Sequence, residues 1–427
     1  MRRLFSALLA LAALGLAFGL AACGDDDDGD GGDDVSSASF DLTVGDLVPL
    51  TGDLSQFGPP GRKAADLAAE EASAALEEAG ADITVSVEHA DTQTQPQASQ
   101  SAARQLVSDG ATCLAGAWAS ADTIPVGRSV AARQQIPLIS PASTSPEISE
   151  LPDDGYVFRT APSDALQGQV LADAVEEDLG SGDGTISLAA RNDAYGEGII
   201  TQFQSSWEEK GGSVTGPVLY DPEQGSYNSE ATQIVEGDPD AFVIVDFEEP
   251  YNAVGAALAR TGDFDPTNLW TADGLALDEI PDSIPADALD GASGTRPATP
   301  EDSDTAAAFD ELFTSAPGPG RETFDAQNFD AVTLCVLAAV AAGSSEGPEI
   351  KDQIAEVAGA PGDQYDYTQL ADAIAALQDG EDIDFEGVSG PLDLDENGDP
   401  TVANYEVWSY DNAKLKVQES VVKEAGE

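Results

Sequence analysis

From residue 40 onward, short apolar runs alternate with longer stretches that are apolar on one face only. Residues 42–48, with Leu42, Val44, Leu47 and Val48, read as a strand. Residues 61–80 place Ala64, Ala68, Ala72, Ala75, Leu76 and Ala79 at helical spacing. A strand over 83–87, a helix over 97–108 that stops at Gly110, a strand over 112–116, a helix over 122–134 and a strand over 136–139 continue the alternation. A repeated strand–helix unit predicts an α/β fold with a mostly parallel sheet covered on both faces. The rhythm then restarts with a helix over 164–179, a strand over 185–189 and a helix over 197–210 that turns Ile199, Ile200, Phe203 and Trp207 inward. Strands over 214–219, 241–245 and 269–272 and a helix over 252–260 complete a second set, so two sheets and two lobes are expected. Pro281, Pro285, Gly291, Gly294, Pro297 and Pro300 then mark a change of lobe or a long connection. Helices over 324–342, 349–358 and 368–377 follow, and Asp395-Glu396-Asn397-Gly398 reads as a hairpin turn. The apolar run 334–342 is too short for a membrane span and reads as a buried helix.

The first 39 residues follow another rule. Met1-Arg2-Arg3 is basic, residues 4–20 are apolar, and Leu20-Ala21-Ala22-Cys23 closes the run. That order predicts a secretory signal over 1–22, outside the fold. The closing residues resemble a bacterial lipobox, in which the cysteine becomes the acylated first residue, so Cys23 is the expected lipidation site. Residues 23–39, opening with Gly24-Asp25-Asp26-Asp27-Asp28, are too polar for a core and read as a flexible acidic tether. An extracytoplasmic, lipid-anchored location is expected, with the membrane reached through the anchor alone.

Charge narrows the choice of partners. The chain has 17 Lys+Arg against 80 Asp+Glu, a net charge of −63. Such a surface repels nucleic acid and anionic membranes. The acids are dispersed along the whole chain, which points to solvation in a salty medium rather than to one basic partner. With Cys23 assigned to lipid, Cys113 and Cys335 remain, as an exported disulfide or as two separate buried thiols; nothing local decides between them. The single His89 ends a strand without a nucleophile motif beside it, and no Cys/His cluster, Walker loop or nucleophile elbow is present. Asp393 to Gly398 imitates a calcium loop, but its twelfth position is Asn404 instead of a glutamate. No metal, cofactor or catalytic activity is expected.

Several segments together resemble the type I periplasmic binding proteins, in the leucine/isoleucine/valine-binding branch that serves ABC importers. They are Pro49-Leu50-Thr51-Gly52 with Gln56-Phe57-Gly58, Ala90-Asp91 with Pro96 and Ala98, and Pro137-Leu138-Ile139-Ser140-Pro141-Ala142-Ser143-Thr144. Phe158-Arg159-Thr160, Tyr195-Gly196-Glu197-Gly198 and the stretch from Gly387 to Asp399 complete the set, in the family's order. The resemblance spans 41–410 and implies two Rossmann-like lobes with parallel sheets joined by a three-strand hinge. The crossovers would fall near Arg159-Thr160, 291–297 and 404–408. Lobe 1 would then comprise 40–161 plus 291–404, and lobe 2 would comprise 162–290 plus 405–427.

The implied function is capture of a small solute, an amino acid of the branched-chain type or a related polar molecule, for delivery to importer permease subunits. The alternative is a sensor of the same fold, for an amide, urea or cationic solute, that reports to a signalling partner. A free amino acid is a zwitterion, so its receptor needs donors for a carboxylate and an acceptor for an ammonium. Open α/β sheets bind ligands at the carboxyl ends of their strands, where Trp118-Ala119-Ser120 and Ala142-Ser143-Thr144 fall. The resemblance implies that Ser120, the Ala142 backbone and Thr144 hold the carboxylate. Asp273 would hold the ammonium from the second lobe, where the family often has glutamate, one methylene longer. Tyr195 would cover the ligand from lobe 2, and Phe57 and Trp118 from lobe 1. Phe247 or Glu248 would face the ligand's side chain, and an acid there would favour a polar or cationic solute.

Overall fold

The computed structural model describes residues 38–426, so the expected signal over 1–22, Cys23 and most of the expected tether lie outside the described residues. Five parallel strands form the first sheet: β1 (Ser39–Val48), β2 (Asp82–Asp91), β3 (Cys113–Ala115), β4 (Leu138–Ser140) and β5 (Val157–Arg159). Their order is β2-β1-β3-β4-β5. β1 starts at Ser39, inside the span expected to be tether, because Ser39 already pairs with Asp82 of β2. The helix Gly58–Glu78 starts earlier than its alanine stripe, with proline in its first turn, where the missing N–H is not needed. The helix expected over 122–134 is interrupted: Pro125 lies inside Ser120–Val126, and a wide π-type turn, Gly127–Ala131, follows.

The second sheet opens with β6 (Thr185–Arg191), β7 (Ser213–Tyr220), β8 (Ala241–Val245), β9 (Leu269–Thr271) and β10 (Ser293–Pro297). Three short strands, β11 (Asp363–Asp366), β12 (Ile383–Gly387) and β13 (Gly390–Pro391), make a separate small sheet. The chain then returns to the second sheet with the hairpin β14 (Val402–Asp411) and β15 (Lys414–Glu424), completing the order β15-β14-β10-β9-β8-β6-β7. β10 pairs with β9 on one side and β14 on the other, so the passage back to lobe 1 follows Pro297, at the end of the expected 291–297 crossover. The last passage precedes Val402, because β14 is paired along its whole length.

Separate cores support the two lobes. The helix Asp325–Ala342 packs with Gly58–Glu78 on one face of the first sheet. It is apolar and long enough to span a membrane, yet it is buried from Asp325 to Val340, so it serves as the core helix of lobe 1. Cys335 on this helix is bonded to Cys113 of β3, with Cα atoms 6.0 Å apart and a sequence separation of 222. The link ties the helical layer to the sheet beneath it. Leu106, Val126, Val130 and Leu138 form the core on the opposite face. In lobe 2, Ile199, Phe203 and Trp207 pack on Ile186, Leu188, Val243 and Val245. The expected turn forms at Asp395, whose carbonyl accepts the Gly398 N–H at 3.0 Å.

Candidate functional site

The lobe 1 wall comes from the loops after β3 and β4, which are stitched together by hydroxyls. The Ser143 hydroxyl lies 3.0 Å from the carbonyls of Ala117 and Trp118 and 2.7 Å from Thr123 Oγ1. Ser140 Oγ donates to the Ala117 carbonyl at 2.7 Å, and Ser120 Oγ accepts the Ser145 N–H at 3.2 Å. Behind them Arg159, fully buried, donates to the carbonyls of Ser143 (3.2 Å) and Ser145 (3.1 Å) and pairs with Asp399. Trp118 reaches the cleft over Gly61, where a Cβ would come within 2.2 Å of the indole. Its Nε1–H is buried without a partner. An unsatisfied buried donor costs about 1–3 kcal/mol, and the indole that carries this one lines the space between the lobes.

Lobe 2 supplies the opposite wall from the ends of β8 and β9 and the helix after β6. Tyr195 stacks on Phe247 with ring centres 5.0 Å apart, and its hydroxyl accepts the Gly274 N–H at 3.0 Å. A Cβ at Gly274 would lie 2.8 Å from Phe247 and 2.9 Å from the Tyr195 hydroxyl, so glycine is required at this close approach. Asp273 is buried, and its Oδ1 accepts from Gln167 Nε2 at 2.8 Å. Burial, only partly opposed by hydrogen bonds from Gln167 and Tyr195, pushes its carboxyl up to about 6.

Between the walls lies a cavity of about 20 Å³. It brings together six of the expected residues: Phe57, Trp118, Ser120, Ala142, Tyr195 and Asp273. Leu54, Ala119, Phe247, Gly274 and Phe324 complete the lining. Three expected residues lie outside it. Ser143 spends its hydroxyl on the loop carbonyls. Glu248 begins the helix Glu248–Ala259 and is half-buried there, leaving Phe247 at the cavity. Thr144 is fully buried, and its Oγ1 has no hydrogen-bond partner; Asp164, whose N–H bonds the Thr144 carbonyl at 2.8 Å, is its neighbour.

Two further residues at or near the cavity gave no legible signal in the sequence. Asp164 stands in the first turn of the helix Asp164–Leu179, where an acid is ordinary. Here it is fully buried, and neither carboxyl oxygen has a hydrogen-bond partner. Burial, reinforced by the nearby Asp273 carboxylate, holds its carboxyl well above the usual range. Arg159, already paired with Asp399, opposes this only in part, so the two neighbouring acids remain under-compensated. Phe324 heads the helix Asp325–Ala342 at φ 72°, a left-handed conformation unusual for an aromatic residue, and sets its ring edge-on to Trp118 at 6.5 Å. A phenylalanine before a buried helix otherwise reads as plain core.

Burial also dictates the pH response. Asp122 and Asp246 are pushed up to about 7, and Asp330 and Asp273 to about 6, in each case chiefly by burial. Between the ordinary carboxylate range and these values, the folded state keeps protons that the unfolded chain has released. Stability therefore falls as pH rises through that window. His89 shares the direction. Burial alone would lower its pKa, but Asp46 (2.7 Å) and Asp66 (2.9 Å) more than offset that and raise it. Its stabilisation is complete below the ordinary imidazole value and is lost as pH rises through the folded one. The solute-free protein is expected to melt a few degrees higher at pH 5.5 than at pH 8 in a calorimetric scan; the opposite slope would contradict this account of the buried acids.

The comparisons with known proteins agree with this architecture. The model of the periplasmic binding protein family matches residues 41–411. The Leu/Ile/Val-binding protein homolog 3 of Brucella melitensis is 28% identical over 229 residues, 53% of this chain and 59% of the relative. The Leu/Ile/Val-binding protein homolog 1 of Brucella abortus is 25% identical over 378 residues, 88% of this chain and 92% of the relative. The crystal structure of a leucine-binding protein, LivK, from Thermotoga maritima superposes with a TM-score of 0.73 at 21% identity, covering 89% of this chain and 98% of that one.

Proposed function

The chain belongs to the periplasmic binding protein family, and from that premise we propose that it captures a free amino acid between its lobes for delivery to an ABC importer. One arrangement carries the reading: hydrogen-bond donors on one lobe face a buried carboxyl group on the other across an apolar cavity. Trp118 Nε1–H and the Ser120 hydroxyl suit the solute's carboxylate, and Asp273, with Asp164 behind it, suits its ammonium. Phe57, Phe247 and Leu54 give its carbon atoms an apolar setting. A carboxylic acid without an amine would leave the two acids uncompensated, and an amine without a carboxylate would leave the indole donor unpaired.

A cavity of 20 Å³ holds no more than about two waters, so the solute enters with the lobes parted and the closed form tightens around it. The three passages between the lobes supply the hinge. In this reading Cys23 carries the lipid anchor that keeps the receptor beside its permease. The test is a thermal-shift screen of the twenty amino acids with their amides and decarboxylated amines. At least one amino acid should raise the melting temperature, as a ligand of the folded state alone must. Its amide and its amine should not. Equal shifts from the amide or the amine would remove the zwitterion reading.

A further inference from the structure

Phe324 has a second cavity on its other side. This chamber, about 240 Å³, is lined by Asp278, Arg296 and Glu406 from lobe 2 and by Arg321, Glu322 and Asp325 from lobe 1, and Phe324 lines both compartments. Its two arginines are already committed. Arg296 Nε donates to Glu406 at 2.8 Å, and Arg321 Nε donates to Asp325 Oδ2 at 2.7 Å while its guanidinium stacks over Phe309 and pairs with Asp310. Carboxylates are left over. Asp325, 1% exposed, has its Oδ1 buried without a partner, and Glu322 Oε2 is buried without one as well. Burial and the nearby Asp278 push the Glu322 carboxyl up to about 8. Among the described residues no three His, Cys, Asp or Glu side chains converge as a metal-binding group. Five acids, Asp278, Asp310, Glu322, Asp325 and Glu406, thus share the lining with two arginines, an excess that favours a cation.

We propose that this chamber is a distal subsite for a primary ammonium or guanidinium group, and that the transported solutes are basic amino acids whose alkyl stem passes Phe324. The inference rests on the cavity being the site of the amino-acid head group. Phe324 suits the dividing position. Its left-handed backbone is pinned by the Glu322 N–H, which donates to Asp325 Oδ2 at 3.0 Å, so the ring stands between the compartments and only its side-chain torsions need to change. An ammonium in the chamber offsets the surplus of acids in its lining, which an aliphatic side chain leaves uncompensated.

Calorimetry with lysine, arginine, norleucine and cadaverine tests the proposal, in 1 M NaCl to screen the general attraction of so acidic a chain for cations. Norleucine matches lysine without the terminal amine. Lysine or arginine should bind at least tenfold more tightly than norleucine. Glu322→Gln should erase most of that difference while leaving norleucine affinity unaltered, and its melting temperature reports whether the fold is kept. Equal affinity for lysine and norleucine, or a Glu322→Gln protein that still prefers lysine as strongly, overturns the distal subsite and leaves the head-group reading standing. Cadaverine binding that depends on Glu322, with no amino acid bound, supports the chamber and sinks the head-group reading. Absence of binding by all four probes overturns the chamber.

Discussion

Asp273→Ala is expected to weaken solute binding by roughly 30-fold or more, at pH 7.5, while leaving the melting temperature of the empty protein unchanged or higher. Truncating one partner of a desolvated charge pair costs about 2–5 kcal/mol, much of it from the charge left unpaired. Asp273 is the acid that lines the cavity; Asp164 lies outside the lining and cannot take over the contact in full. In the empty protein the balance is reversed. Asp273 is buried with a raised pKa, and its partners keep other bonds without it: Gln167 to the Thr295 carbonyl at 3.2 Å and the Tyr195 hydroxyl to the Gly274 N–H at 3.0 Å. Removing it therefore takes away a burdened group rather than a supporting one. Asp273→Asn is the control for shape: it keeps an acceptor for Gln167 and should lose nearly as much affinity. Calorimetry with the amino acid chosen by thermal shift gives the answer, and wild-type affinity in both variants would move the ammonium site away from Asp273.

The sequence carried most of the scaffold and about half of this site, for a physical reason. Strand and helix periodicity is local, so both βα series were legible, as were the loops at the carboxyl ends of β3, β4 and β9 that present Ser120, Ala142 and Asp273. Pairings across long separations were not. β10 is held in the second sheet by β9 on one side and, on the other, by β14, where Thr295 pairs with Val407, 112 residues later by number. Phe324 and Asp164 sit in positions whose local meaning is ordinary, and only contacts with Trp118, Thr144 and Asp273 give them a role. Phe247 and Glu248 were interchangeable until the start of the helix at Glu248 fixed which one ends the preceding loop.

Asp399→Ala is expected to destabilise the fold by about 3–5 kcal/mol and to weaken solute binding with it, although Asp399 does not line the cavity. Arg159 is fully buried, and Asp399 receives its guanidinium through two parallel bonds, Nε to Oδ1 at 2.6 Å and Nη2 to Oδ2 at 2.5 Å. Ser149 Oγ adds a bond to Asp399 at 2.5 Å. Without the carboxylate, a charge is stranded in the interior, the costly way to break a buried pair. The same guanidinium holds the Ser143 and Ser145 carbonyls, and the Ser145 N–H in turn holds Ser120 Oγ. Any rearrangement that lets Arg159 reach water therefore pulls on the loop after β4 that presents Ala142 and, through Ser145, on Ser120. The double variant Arg159→Met/Asp399→Leu separates charge from packing. It should recover a large part of the lost stability, since no charge remains to be stranded, while binding recovers less because the loop carbonyls have lost their donor. Urea titration of the single and double variants, with calorimetry on each, provides the test. A single variant with wild-type stability, or a double variant no more stable than the single, would show that the Arg159–Asp399 pair does not hold this loop.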